Sequence, residues 1–212
     1  MSVQPGDTAP GFTAMTTEGE LDFYDWMGDD WVVLVSHPQD FTPVCNAGRD
    51  GAARLIAEFD KRHVKIIGLS VHPLDAHGPW AGDIRETRGY TLNFPLIADH
   101  DRKIADLYGM LHPIADDTHA VRSALVISAD KKVKLMITYP ASTGCNLDEI
   151  LQVIDSYQLT GDFSVATPHN WHYGEDAIFV PAVSNNETRD RYPDGWNMHK
   201  PYSGAVHQSS RE

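Results

Sequence analysis

The sequence predicts an α/β fold: a mixed β-sheet flanked by helices, followed by a C-terminal extension with little core of its own. Three observations lead there. Short β-rich runs alternate with amphipathic segments; two of those runs are almost continuously apolar, as strands buried on both faces are; and from about residue 161 the chain turns polar and is punctuated by proline.

Taken in order, WVVLVS (31–36) and VKIIGLSV (64–71) are the two buried strands. Between them, AGRDGAARLIAEFDKRH places Ala52, Ile56 and Phe59 on one helical face and sets Glu58 four residues before Arg62, so the stretch reads as strand, helix, strand. NFPLIA (93–98) adds a strand, and RSALVIS (122–128) and VKLMITY (133–139), joined by ADKK, form a hairpin. In NLDEILQVIDSYQL (146–159), Ile150, Val153, Ile154 and Tyr157 recur at helical spacing, and Asn146 with Glu149 has the pattern of a capping box. Such an order fits a thioredoxin-like fold over residues 1–160. In 161–212, Pro168, Pro181, Pro193 and Pro201 leave only DAIFVPAV (176–183) with strand character. This extension cannot bury a core alone and must lie on the main domain or on a second subunit, with its last residues, from about Gly204, expected to lack order.

Composition narrows the function. The 212 residues are 42% hydrophobic, enough for one substantial core. Seventeen Lys and Arg against thirty Asp and Glu give a net charge of −13, which repels nucleic acid and anionic membranes. No run reaches the roughly 18 apolar residues of a membrane span, and MSVQPGDTAP has no leader-like features, so a cytoplasmic location is expected. Trp31, Trp80, Trp171 and Trp196 read as core or interface anchors. The histidines of VHPLDAH (His72, His77) and HNWH (His169, His172) lack the cysteines or paired carboxylates that would complete a metal site and are expected on the surface or in loops.

The chemistry points to SHPQDFTPVC (36–45). If the strand ends at Ser36 and a helix begins near Pro43, Thr42 is the N-cap, Pro43 the first helical residue and Cys45 the third. There the unpaired N–H groups and the positive end of the macrodipole favour a thiolate, with a pKa of roughly 3.5–7.5 in place of about 8.5. A buried, gap-filling cysteine is the alternative. The other cysteine, Cys145, also stands just before a helix; the pair shows neither zinc-site spacing nor a disulfide framework, and in a reducing compartment both are expected as thiols.

The Pro-x-x-x-Thr-x-x-Cys pattern of Pro38, Thr42 and Cys45 resembles the peroxiredoxins, and His37 before the proline resembles their 1-Cys branch. Further blocks in the same order carry the likeness: GDTAPGFTAMTTEG, FPLIADHDRKIADLYGM, RSALVIS, ITYPASTG, LDEILQVIDSYQLT and VATPHNW. The resemblance implies a hydroperoxide-reducing enzyme that needs no metal or organic cofactor, with Cys45 as nucleophile, Thr42 as hydrogen-bond donor to the peroxide, Pro38 as a shield and Arg122 as the cation beside the thiolate. It further implies an external thiol reductant such as thioredoxin or glutathione, and a homodimer or higher oligomer with the extension crossing to the partner. Without the resemblance, Arg122 reads as a solvated strand-end arginine, and His37 reads equally as a tuning group or a packed histidine.

Two departures stand out. Asn46, Ala47 and Gly48 replace the Thr-Thr-Glu common in that branch, and STGCN puts Cys145 where a second arginine is expected. Cys145 is then a resolving thiol, a neutral replacement in a weakened peroxidase, or an inert residue. The side chain is several ångströms shorter than arginine and a disulfide needs Cα atoms about 4.4–6.8 Å apart, which favours 1-Cys chemistry. A peroxide sensor or chaperone-type binding protein with little turnover is the competing function.

Overall fold

The computed structural model describes residues 3–36, 56–75, 94–111, 121–140, 142–163, 165–179, 196–200 and 203–206. The chain divides into two compact units, Met1–Leu147 and Asp148–Glu212, so the helix that follows the hairpin is grouped with the C-terminal segment.

The first unit is built on a seven-stranded mixed sheet in the order β2-β1-β5-β4-β3-β6-β7. Its strands are β1 (Thr13–Thr16), β2 (Gly19–Asp22), β3 (Trp31–Ser36), β4 (Val64–Ser70), β5 (Leu96–Ala98), β6 (Arg122–Ile127) and β7 (Val133–Tyr139). β3, β4 and β5 run parallel to one another, whereas β6 pairs antiparallel with β3 and β7 antiparallel with β6. Both apolar runs are central as expected: Val32, Val33, Leu34, Ile67 and Leu69 are fully buried. The hairpin also forms, turning through Lys131 in the left-handed region and closed by Ser128 N–H to the Lys132 carbonyl at 2.9 Å. Residues 56–60 are helical (α2), Phe59 is fully buried, and Glu58 pairs with Arg62 at 3.1 Å. Ala52 lies outside the described residues.

Strand ends differ from expectation for local chemical reasons. β4 stops at Ser70 because the Ser70 hydroxyl accepts the His72 N–H at 3.2 Å and turns the chain. β5 begins only after Pro95, which has no N–H to give a ladder. An N-terminal hairpin, β1–β2, and the helix α1 (Phe23–Met27) form where no element was expected. Asp22 caps α1 by accepting Tyr24 N–H at 3.0 Å and Asp25 N–H at 3.1 Å, and Phe23 and Met27, one turn apart, enter the core.

The short helix α3 (Lys103–Leu107) is fixed by Asp99, which is 3% exposed and accepts Ile104 N–H at 3.1 Å and Ala105 N–H at 2.7 Å. Burial raises the Asp99 pKa above its ordinary value, a shift opposed by those two N–H groups. α3 in turn delivers Ile104, Ala105 and Tyr108 to the core, and the Tyr108 hydroxyl donates to the Pro10 carbonyl at 2.6 Å.

In the second unit, α4 (Leu147–Asp162) forms as expected, starting directly after Asn146. Ile150 and Ile154 are fully buried, but Val153 is half-buried and Tyr157 is 38% exposed; Leu159 instead joins Val165, Trp171 and Ala177 in a small core. The extension holds more strand than its sequence suggests. β8 (Val165–Ala166), β9 (Ala177–Phe179), β10 (Trp196–Lys200) and β11 (Ser203–Val206) form an antiparallel sheet in the order β10-β11-β9-β8. Gly204, expected to begin an unordered end, lies inside β11. Strands of two to five residues between prolines carry too few positions for a period to show.

Asp99→Ala removes both N–H acceptors at α3 and is expected to lower unfolding free energy by about 1–2 kcal/mol in a urea titration. A raised folded-state pKa means that ionisation of Asp99 opposes folding. Wild-type stability relative to Asp99→Asn should therefore rise as pH falls from neutrality into the acid range, and fall again as pH rises through the raised pKa.

Candidate active site

In open α/β sheets the carboxyl ends of parallel strands form the edge at which ligands bind. Here β3 ends at that edge with Ser36, and β6, antiparallel to it, begins there with Arg122. β7 returns to the same edge at Tyr139, the register partner of Arg122. Three chain segments therefore meet at one place: the one that continues from Ser36 into His37, the one that opens with Arg122, and the one that leads from Tyr139 towards Cys145.

Ser36 ties the first two together. Its side chain is fully buried, and its hydroxyl accepts Ser123 N–H at 3.0 Å while donating to the Val121 carbonyl. Val121 N–H donates to the Met110 carbonyl at 2.7 Å, and the Ser123 and Thr138 hydroxyls meet at 3.1 Å across β6 and β7. The backbone on both sides of Arg122 is thus held by named partners.

Arg122 itself is 6% exposed, which overturns the solvated strand-end reading. A guanidinium stays ionised under all ordinary conditions, so its burial at the start of a strand carries a desolvation cost that a purely structural end position does not require. Cys145 is half-buried and reached from Tyr139 through a turn in which Thr143 N–H donates to the Pro140 carbonyl at 2.9 Å. It stands two residues before α4, whose first turn carries Asp148 and Glu149. His37, Pro38, Thr42 and Cys45 lie outside the described residues, as does His77.

Among the other residues singled out, His169 and His172 are exposed, the latter 3.8 Å from Glu175, and His72 is half-buried at the turn after β4. Among the described residues no three His, Cys, Asp or Glu side chains group as a metal site. A cleft of about 740 Å3 opens against β1 and beyond the carboxyl ends of β4 and β5, lined by Ala14, Met15, Leu74, Ala98, Asp99 and Ile104. None of the described candidate residues lines it. Sequence reasoning takes Ser36 only as the last residue of a strand; the available signal was a polar residue closing the apolar run WVVLV, which demands a partner once buried.

Comparison with known proteins places the whole chain among relatives. Residues 5–136 match the AhpC/TSA family and residues 156–195 match the C-terminal domain of 1-Cys peroxiredoxin. The chain is 45% identical over 206 residues to a 1-Cys peroxiredoxin of Dictyostelium discoideum, covering 97% of this chain and 86% of that one. It is 46% identical over 198 residues to peroxiredoxin-6 of Mus musculus, covering 90% and 88%. Among solved structures, the yeast mitochondrial 1-Cys peroxiredoxin, studied for thiol resolution via glutathione/thioredoxin systems, superposes with a TM-score of 0.88 at 42% identity, covering 97% of this chain and all (100%) of that one. A cysteine-to-serine mutant of the peroxiredoxin 6 of Arenicola marina superposes with a TM-score of 0.89 at 38% identity, covering 99% and 100%. The thioredoxin-like fold, the matched domains and these relatives place the chain in the AhpC/TSA family, where it belongs to the 1-Cys peroxiredoxins, enzymes that reduce hydroperoxides at the expense of thiols.

Proposed function

We propose that this thiol peroxidase turns over through Cys45, with Pro38, Thr42 and Arg122 completing the site and His37 beside it. The observation that carries the reading is the buried Arg122 at the sheet edge where β3 gives way to His37 and the Thr-Pro-Val-Cys segment. The Cys45 thiolate attacks the terminal oxygen of a hydroperoxide; the O–O bond breaks, an S–O bond forms, and the leaving oxygen takes a proton and departs as water or an alcohol. Arg122 and the Thr42 hydroxyl stabilise the charge that builds on those oxygens. One external thiol then displaces water from the sulfenic acid to give a mixed disulfide, and a second releases Cys45 as a thiol. Glutathione or thioredoxin suits this cycle, in line with the systems associated with the yeast relative.

The peroxidase chemistry is assigned to residues 1–160, and the extension 161–212 to a homodimer. Edge strand β7, with Leu135, Met136 and Ile137 half-buried and few charges, suits pairing with a second copy, whereas the opposite edge β2 is guarded by exposed Glu20 and Asp22. No helix among the described residues is long and apolar enough to cross a membrane. A cytoplasmic location, where a reducing thiol pool would supply the electrons, suits this cycle.

With a dithiol reductant, the purified protein is expected to consume peroxide and Cys45→Ser to show only the background rate; equal rates would exclude this assignment. Arg122→Lys keeps the charge but loses the planar fork, and should slow the peroxide step by roughly tenfold, with Arg122→Met slower by about 10²–10³. After one equivalent of peroxide, mass spectrometry should find a sulfenic adduct on Cys45 with Cys145 still alkylatable. Loss of two hydrogens with no alkylatable thiol would make Cys145 the resolving residue.

A further inference from the structure

We infer that Ser36 is a positioning residue for the peroxidase reaction, setting the place of Arg122 relative to the chain that leads to Cys45. The inference rests on the peroxidase reading above and adds a residue to it. Ser36 and Arg122 project from opposite faces of the sheet: Ser36 falls in register opposite Ser123, following the pairs Leu34 with Leu125 and Val35 with Ala124. Their coupling therefore runs through the backbone.

The geometry is specific. In a simple continuation of the ladder, residues past the Val35–Ala124 pair would exchange backbone hydrogen bonds only. Here a side-chain hydroxyl takes over, accepting from Ser123 N–H at 3.0 Å, lying 3.4 Å from the Ser123 carbonyl and donating to the Val121 carbonyl. The contacts to Ser123 N–H and to the Val121 carbonyl fall on the two peptide units that flank the Arg122 Cα. They fix the backbone torsions from which the guanidinium is aimed.

Ser36 is at the same time the last residue of β3, one peptide bond before His37. The hydroxyl thus joins the exit of one catalytic segment to the root of the other at a fully buried point. Alanine or valine, which the run WVVLV would otherwise continue with, would fill the space but take away the partner of the buried Ser123 N–H and of the Val121 carbonyl. Misplacement of a catalytic charge by about 1 Å can cost as much as a hundredfold in rate.

Stopped-flow measurement of peroxide reduction, titration of the Cys45 thiol and thermal melting would be carried out on the wild type, Ser36→Ala, Ser36→Thr, Arg122→Ala and the Ser36→Ala/Arg122→Ala pair. Expected results are a roughly tenfold or greater fall in the peroxide step for Ser36→Ala, with the KM for the thiol reductant unchanged. The Cys45 pKa should rise, Ser36→Thr should recover the rate, and Ser36→Ala should add nothing once Arg122 is already alanine. A Ser36→Ala protein that melts earlier but reacts at the wild-type rate with an unshifted thiol pKa overturns the inference, as does a full additional loss in the double variant. Should Ser36→Ala not fold, Ser36→Gly, which leaves room for a water between the orphaned groups, carries the same comparison. A wild type that consumes no peroxide would instead refute the peroxidase reading itself.

Discussion

Everything in the first unit is hung on β3. It is hydrogen-bonded on one side to β4, in parallel from Trp31–Val64 to Ser36–Leu69, and on the other to β6, antiparallel from Val32–Ile127 to Val35–Ala124. A strand flanked on both sides satisfies its N–H and C=O groups entirely from the sheet, and so can be apolar on both faces without leaving buried polar groups unpaired. The same double pairing dictates where the strand ends. Once Ser36 is held between Val121 and Ser123, the chain must leave the sheet at a point set by two neighbours, and whatever follows starts from a fixed origin.

Such a fixed origin matters because an enzyme of this kind does little covalent work on its substrate beyond one displacement at oxygen. Its advantage comes from donors and charge already in place when the O–O bond stretches. Residues near a rigid strand terminus lose little further freedom when they act, whereas the same residues on a free loop would have to be ordered at each turnover. In the site proposed for this chain the buried start of β6 would serve this purpose for Arg122, which the ladder to β7 holds from the far side through the Arg122–Tyr139 pair.

The sequence made the central strands legible as near-continuous apolar runs, and the hairpin and α4 through patterned segments of at least six residues. It also marked Arg122 and Cys145, though only through likeness to a family. What stayed hidden has a common cause. β1, β2 and β8 are two to four residues long, too short to display alternation, and are held by tertiary pairing. Asp99, like Ser36, is a polar residue whose value depends on partners distant in space or on a turn that only the folded chain defines: two N–H groups of α3 in one case, two peptide units of β6 in the other. A capping Asp five residues before the N–H it accepts, with Arg102 in the left-handed region between, falls outside the usual cap spacing.

The departures in sequence load this edge further. Where the branch pattern supplies a second arginine, the chain has Cys145, which brings no positive charge and no fork of donors. On a protein of net charge −13, each nearby cation opposing that background is worth more than on a neutral one, since the mean field disfavours both a thiolate and the developing oxyanion. With one such cation replaced, the mechanism proposed above would lean on Arg122 and on the backbone N–H groups expected around Cys45. In that mechanism neither could be moved without cost, which gives weight to the contacts that Ser36 makes on either side of Arg122. Burial also bears on the strength of the charge at this edge: at 6% exposure the field of Arg122 is little screened by solvent.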